Sequence, residues 1–250
     1  MENKLDPQAE HNDDAIYQVA LLQSMALGDY KGTVTIKELT RHGDTGLGTF
    51  DGLNGEMILL DGVAYRAAGD GSVEIVSEQE TSPFCVVSFM EADATIALKD
   101  IEDYEALSRA LDRIVAERGK NRFYMIRIDG CFRGMYVRSV PKQAEPYRRL
   151  VDVLAQQQTF FHYENIEGTV VGLYCPPYMS YLNAVGWHMH FLSKDKTAGG
   201  HVLGLELADA VLTWDDKDSF RLKLPETDRF NGFDLTVDQT EDIEKVEKNK

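Results

Sequence analysis

The sequence lacks an excess of positive charge: its 250 residues contain 26 Lys and Arg against 42 Asp and Glu, which gives a net charge of -16. Nucleic-acid binding depends on a basic surface that displaces counterions from phosphates. The sequence also lacks the roughly 18 uninterrupted apolar residues of a membrane helix, and its acidic start, MENKLDPQAEHNDD, lacks the pattern of a secretory signal. We therefore expect no nucleic-acid partner, no membrane span and a cytoplasmic location.

Cysteine is scarce as well. The three cysteines, Cys85, Cys131 and Cys175, are odd in number, far apart and without CxxC spacing. Each is flanked by apolar or aromatic residues, and this setting predicts buried thiols. The 43% hydrophobic content, by contrast, is enough for one large core or two small ones, which is typical of a globular protein.

The spacing of apolar residues divides the chain into helical and strand-rich stretches. The polar residues 1–13 are predicted to be disordered. Helices are predicted over 15–28, 101–118 and 144–157, from apolar residues that recur every three or four positions and from glycines that follow two of these stretches. Short runs of Val, Ile and Thr between turn sequences predict strands over 32–87 and again from residue 160 onward.

Two further strands, RFYMIRID and FRGMYVRSV, are predicted to meet at a turn formed by Asp129 and Gly130. Two sheet regions separated by helices predict an α+β fold with two lobes built on mixed β-sheets. We place the N-terminal lobe at residues 14–159 and the C-terminal lobe at residues 160–250. The charged end, TEDIEKVEKNK, has the composition of a solvated terminus with few apolar groups for the core.

A histidine cluster is the clearest chemical signal. In GWHMHFL, His188 and His190 alternate with apolar residues, so a strand directs both imidazoles to one face, whereas a helix would separate them. The loop SKDKTAGG then returns the chain so that His201, at the start of the next strand, lies beside them. Three imidazoles without a nearby cysteine are typical of a catalytic zinc site that keeps a position open for water or substrate.

A cupin-like metal site is the rival interpretation of the same histidines. It requires a glutamate a few residues after H-x-H, where this chain has Ser193, Lys194 and Asp195. This difference weakens the cupin interpretation. Two histidines outside the cluster, His42 and His162, have no ligand-type neighbours at useful spacing, and we do not expect them to bind metal.

Three other residues could take part in chemistry. The glycine-dense stretch TRHGDTGLGTFDGLNGEMILLDG fits neither phosphate-binding pattern and is interpreted as turns that fix Thr49 and Glu56. On the sequence alone, Glu56 is best interpreted as a solvated carboxylate at a strand edge. Arg138 ends an apolar strand, and it is either an edge residue with its charge in solvent or a clamp for an anion.

A family resemblance rests on three stretches, which are, in order, HGDTGLGTFDGLNGEM, VRSVP and GWHMHFLSKDKTAGGHV. Together they resemble the alpha-acetolactate decarboxylase family over about residues 15–247, and the last stretch is the most specific. The resemblance implies a two-lobed α+β subunit, commonly dimeric, that converts 2-acetolactate to acetoin and carbon dioxide.

The resemblance also implies roles for single residues. By it, the histidines at 188, 190 and 201 bind zinc, Arg138 contacts the substrate, Glu56 lies at the metal and Thr49 lines the same site. A glutamate of the C-terminal segment completes the pocket, so the tail is expected to fold back to the zinc-binding C-terminal lobe. That glutamate matches Glu247, with Glu244 as the alternative. Two other functions stay open: another zinc-dependent enzyme on this scaffold, such as a hydrolase that uses zinc-bound hydroxide, and a non-catalytic module that binds zinc or another ligand.

Overall fold

The structure is a computed structural model that describes residues 14–248. For Thr240, Glu244, Glu247 and Lys248 it describes the backbone alone. The disorder predicted for residues 1–13 therefore lies outside the described residues. Within the described part, no helix has the length and apolar character needed to cross a membrane.

The described strands are, in chain order, β1 (Ala15–Val19), β2 (Val34–Thr35), β3 (Thr45–Thr49), β4 (Glu56–Leu60), β5 (Val63–Ala67), β6 (Val73–Ile75), β7 (Thr81–Ser82), β8 (Cys85–Ser88), β9 (Ala94–Ile101), β10 (Phe123–Ser139), β11 (Thr159–Cys175), β12 (Gly186–Ser193), β13 (Gly199–Lys217) and β14 (Ser219–Lys223). The described helices are α1 (Leu22–Ala26), α2 (Ile36–Leu39), α3 (Tyr104–Arg118), α4 (Leu150–Gln157), α5 (Asp228–Gly232) and α6 (Thr240–Lys248), with a turn of 3₁₀ helix at Pro177–Met179. This mixture of sheets and few helices confirms the predicted α+β class.

The first sheet has seven strands in the order β14-β1-β8-β3-β4-β5-β6. All neighbours are antiparallel except β1 and β14, which run parallel. Strand β14 therefore brings the last part of the chain back to the N-terminal sheet. Strands β2 and β7 form a separate two-stranded ribbon.

The second sheet has the order β10-β11-β12-β13-β9, and β10 also pairs with β13. Strands β10 to β13 thus close into a circuit, and long strands make this possible because one end of a strand can pair with a different partner from the other end. The first sheet draws on residues before 89 and on β14, whereas the second begins with β9. The change of lobe expected near residue 160 falls between β10 and β11, which are partners in one sheet.

The turn predicted at Asp129 and Gly130 is wrong, because β10 runs straight through both residues. Gly130 pairs with Gly168 on β11 and with Ala210 on β13. An Asp-Gly pair forms a hairpin only when its two flanks pair with each other. Here both flanks pair with strands that come later in the chain, so the backbone stays extended.

The helix predictions are confirmed in part. Helix α3 begins after Asp103, whose side chain accepts a hydrogen bond from the Ala106 N–H, and it ends at Gly119, as expected. Helix α4 covers only the second half of the predicted 144–157. The start of the predicted 15–28 helix is strand β1 instead, because β8 and β14 pair with it on both sides, and only α1 is helical.

The main core lies between the two sheets and is covered at one end by helices α1, α4 and α6. The C-terminal segment is part of this core: Ile243 is 7% exposed and Val246 is 5% exposed. The interpretation of the tail as a solvated terminus is therefore wrong, since its apolar residues, three positions apart, form one face of a helix. Among the cysteines, Cys85 and Cys175 are buried as predicted, but Cys131 is exposed.

Candidate metal centre and active-site pocket

The three histidines of the cluster meet between the sheets. Strand β12 directs His188 and His190 to one face, and His201 near the start of β13 is the register partner of His190. All three side chains are buried. The His188 Nε2 atom lies 3.2 Å from His190 Nε2 and 3.1 Å from His201 Nδ1. The structure therefore brings together the three residues that the alternating pattern singled out.

The donor atoms fit a metal ion. A tetrahedral zinc ion with zinc–nitrogen bonds of about 2.0–2.1 Å separates its nitrogen ligands by about 3.3 Å, close to the two observed distances. The His190 Nδ1 atom lies 2.8 Å from the Met57 carbonyl oxygen on β4. A carbonyl oxygen only accepts, so Nδ1 carries the proton and donates, and the lone pair of Nε2 points into the cluster.

The same imidazoles are held in the neutral form that binds metals. Burial, with a smaller contribution from the charge of Arg138, lowers the pKa of His188 to about 3. Burial also holds the pKa of His190 well below its usual value, and His188 and Arg138 add to the effect. Protons therefore compete weakly with a metal for these two residues at neutral pH.

Glu56 and Thr49 face the cluster from the first sheet. They are register partners at the ends of β4 and β3, and the Glu56 Oε2 atom lies 3.5 Å from His190 Nε2. Glu56 is only 9% exposed. The interpretation of this residue as a solvated edge carboxylate is wrong, because β5 pairs with β4 on its other side. The Thr49 hydroxyl donates to the Gly55 carbonyl oxygen at 2.7 Å.

Arg138 lies next to the histidines on β10. Its register partners are His201 on β13 and Phe160 on β11, so it belongs to an interior strand and not to an edge. The residue is 4% exposed, and its Nη1 lies 3.4 Å from the Gln158 Oε1 atom. Of the two interpretations that the sequence left open, burial makes the solvent-exposed edge residue wrong, and the anion clamp stays a prediction.

A cavity of about 380 Å³, open mouth included, joins these residues. Strands supply its polar wall, which includes Thr49, Glu56, Arg138 and the three histidines, and helices supply an apolar wall. The apolar helical residues are Met25 of α1, Leu150 and Leu154 of α4, and Val246 of α6. The sequence did not single these out, although the four-residue spacing of Leu150 and Leu154 was a usable signal.

The other histidines and glutamates that the sequence analysis considered either lie away from the cavity or have side chains that the structure does not describe. The His42 ring stacks on Tyr17 with 3.9 Å between ring centroids, and His162 is exposed, so neither belongs to the cluster. The side chains of Glu247 and Glu244 lie outside the described part of the chain. The backbone of Glu247 follows directly after Val246 on α6, which lines the cavity.

Comparison with known proteins identifies the family. The sequence profile described as alpha-acetolactate decarboxylase matches residues 16–237. The chain belongs to this family. Alpha-acetolactate decarboxylases of Methanosarcina mazei and Methylococcus capsulatus are 38% and 39% identical to it, over 99% and 95% of this chain and 85% and 90% of those proteins. Members of the family are carboxy-lyases, and the chain is therefore an enzyme of this class.

The fold of the family is also shared. The crystal structure of alpha-acetolactate decarboxylase from Bacillus subtilis strain 168 superposes with a TM-score of 0.90 at 34% identity, and the match covers 94% of this chain and 99% of that one. The three stretches that carried the family resemblance lie on β3 and β4, at the end of β10, and on β12 and β13. All three contribute side chains to the one cavity.

Proposed function

We propose that the protein decarboxylates 2-acetolactate to acetoin and carbon dioxide, with a zinc ion held by His188, His190 and His201. The observation that carries the proposal is the convergence of three buried imidazoles, a buried guanidinium and a buried carboxylate on one cavity, in a member of this family. Three nitrogen ligands leave a coordination position for substrate, and a structural site would usually close with a fourth protein ligand. When bound, zinc supplies a Lewis acid for the substrate oxygens.

Arg138 binds and orients the substrate in this proposal. Its guanidinium is permanently charged and planar, and it can donate two parallel hydrogen bonds to the carboxylate that is lost. Decarboxylation breaks the bond between the carboxylate carbon and the carbinol carbon, and the electron pair passes toward the neighbouring ketone. A fixed carboxylate keeps the breaking bond aligned with the ketone's π system. The buried position of Arg138 supports this role, because few waters compete for the guanidinium.

A carboxyl group then completes the reaction by delivering one proton to the carbon that lost carbon dioxide. Glu56 is suited to this step, since its Oε2 atom faces the histidine cluster at 3.5 Å from His190 Nε2. We propose Glu247 as a second carboxylate at the site, supported by the place of its neighbour Val246 in the cavity wall. Either carboxyl group, when protonated, could supply that proton.

The apolar wall has a separate part. Met25, Leu150, Leu154 and Val246 come from three different helices and line the same cavity as the polar strand residues. Such a wall accommodates the methyl groups of 2-acetolactate and excludes water. Exclusion of water strengthens the interactions of Arg138 with the substrate's charges.

The test is an assay for acetoin and carbon dioxide from racemic 2-acetolactate, with the purified protein before and after chelation and after zinc is restored. We expect about one zinc per chain, activity that disappears with the chelator, and recovery on addition of zinc. A metallated protein that releases no carbon dioxide would refute the proposal. Hydrolysis of ester or amide substrates by that protein would then support a zinc hydrolase, and absence of all turnover would support a binding module.

We also propose that the protein is a homodimer, as the family resemblance implies. Light scattering of the purified full chain should then give about twice the subunit mass of 28.2 kDa. A monomer mass at the concentration of the activity assay would refute this part and leave the reaction unaffected.

A further inference from the structure

Helix α6 is part of the cavity wall although it is the last described element of the chain. Val246 lines the cavity, and Ile243 packs in the main core with residues of α1 and α4. Helix α6 is separated from α5 by the segment 233–239, which contains no helix or strand. A short terminal helix is stable only through such contacts, because nine residues are too few for an isolated helix in water. The wall of the cavity therefore depends on what holds α6 in place.

One arginine makes two of these contacts. Arg149 is the N-cap residue of α4, directly before Leu150 of the cavity wall. Its Nη2 atom donates to the Gln239 Oε1 atom at 2.9 Å and forms an ion pair with Asp242 on α6. Gln239 is buried and directly precedes α6. A single guanidinium thus connects the start of α4 to the start of α6.

A second contact secures the segment from the side of α1. The buried Gln23 side chain donates from Nε2 to the Val237 carbonyl oxygen at 2.6 Å. This bond fixes the backbone two residues before Gln239. The segment in front of α6 is therefore held from α1, and the first turn of α6 is held from α4.

We propose that Arg149 and Asp242 are a positioning pair, which keeps α6 against the cavity and so sets the affinity of the enzyme for its substrate. The proposal rests on the proposed decarboxylase function. Neither residue lines the cavity, so the pair acts through Val246 and its neighbours on α6. When α6 leaves its place, the cavity loses part of its apolar wall, and only the fraction of molecules with α6 docked binds substrate well.

This model predicts which kinetic constant changes. The apparent dissociation constant rises in proportion to the loss of the competent fraction. At saturation, bound substrate favours the docked form, so the turnover number changes much less. The side chains of Arg149 and Asp242 are 47% and 25% exposed. Solvent screening makes such a pair moderate in strength. Removal of one charge should therefore shift the docking equilibrium of α6 by about three- to fivefold, and reversal of one charge should shift it by about tenfold.

The experiment combines hydrogen exchange with steady-state kinetics on the zinc-loaded full chain. In Arg149→Glu, we expect amide exchange over residues 238–248 to rise about tenfold, the KM for 2-acetolactate to rise by a smaller factor of about threefold, and kcat to change less than about twofold. Asp242→Asn should show the smaller effect. The double variant Arg149→Glu with Asp242→Arg, in which the two charges are swapped, should restore most of the wild-type amide exchange and most of the wild-type KM. Arg148→Ala is the matched control, because the adjacent Arg148 bonds within its own helix region to Gln156, and it should behave as wild type.

The outcomes separate the two proposals. Unchanged exchange of α6 in both single variants overturns the positioning pair, and so does faster exchange with an unchanged KM. If Arg149→Glu does not fold, Asp242→Asn with the same two measurements decides. If the wild-type protein does not act on 2-acetolactate, the proposed function fails, and hydrogen exchange alone then judges whether Arg149 holds α6.

Discussion

A chain that ends at Gln239 is the sharpest perturbation of the site, because it removes α6 and keeps all the strands that the structure describes. Both the composition of the tail and its structure bear on the result. From composition alone, loss of the tail should hardly change stability. The structure predicts otherwise, since Ile243 and Val246 are 7% and 5% exposed in the core.

The magnitude follows from these two side chains. Full burial of a valine or isoleucine side chain is worth about 1.5–3 kcal/mol, so the pair contributes about 3–6 kcal/mol in gross. The ordering of nine residues into a helix opposes this gain. We therefore expect truncation to lower the free energy of unfolding by less than this gross amount. Chemical denaturation of the two metal-free chains measures the difference.

The activity should fall far more than the stability. Truncation removes Val246 from the wall and Glu247 from the site, and loss of a general acid typically costs about a hundredfold in rate. The zinc content should stay near one per chain, because the three histidines belong to β12 and β13. Glu247→Gln in the full chain is the matched variant, and it should reproduce most of the loss of turnover with unchanged stability. If the truncated chain forms acetoin as fast as the full chain, Glu247 is not in the active site and α6 is only a stabilising element.

Three further predictions concern residues of the second sheet. His188→Ala and His190→Ala should each lose most of the bound zinc, because two imidazoles hold zinc poorly, and metal analysis that shows unchanged zinc in both would contradict the site. Arg138→Lys should keep zinc and fold but lose at least about tenfold in kcat/KM, since a point charge does not reproduce the planar fork, whereas full activity would remove Arg138 from substrate binding. Lys217→Met should lower the free energy of unfolding by about 3–5 kcal/mol, because Lys217 and Asp215 form a buried ion pair at 2.7 Å. Urea denaturation should show that the double variant with Asp215→Leu recovers most of this loss, and a double variant as unstable as the single one would refute the explanation.

The histidine cluster was predictable because its signal is local. Alternation of His188 and His190 with apolar residues has the period of a strand, and the glycines before His201 indicate a return of the chain. Both features are written within fourteen consecutive positions. The helix before Gly119 was predictable for the same reason, since spacing and cap lie in one segment.

The depth of Glu56 and Arg138 was not predictable in this way. Whether a carboxylate at the end of a strand is solvated depends on the neighbouring strands, and β5 covers Glu56. Arg138 is buried because β11 and β13, which come later in the chain, pair on both sides of it. Sequence periodicity reports which face a residue takes, but it does not report which strand lies next to it. The same limit explains two wrong predictions, the turn at Asp129 and the solvated C-terminal tail that is helix α6 in the structure.

The position of His201 shows how the fold fixes the site before any ligand binds. On β13, His201 has His190 as its register partner on one side and Arg138 on the other. The preceding residue, Gly200, adopts a φ of +150°, and a Cβ there would come within 2.6 Å of the Arg138 carbonyl oxygen. The two glycines are therefore more than a flexible return, because Gly200 allows β10 and β13 to approach closely enough for Arg138 and the imidazoles to share one cavity. A slip of one residue in this register would turn His201 to the opposite face. The folding of the sheet thus bears the cost of gathering one guanidinium and three imidazoles, and a metal or substrate meets groups already in place.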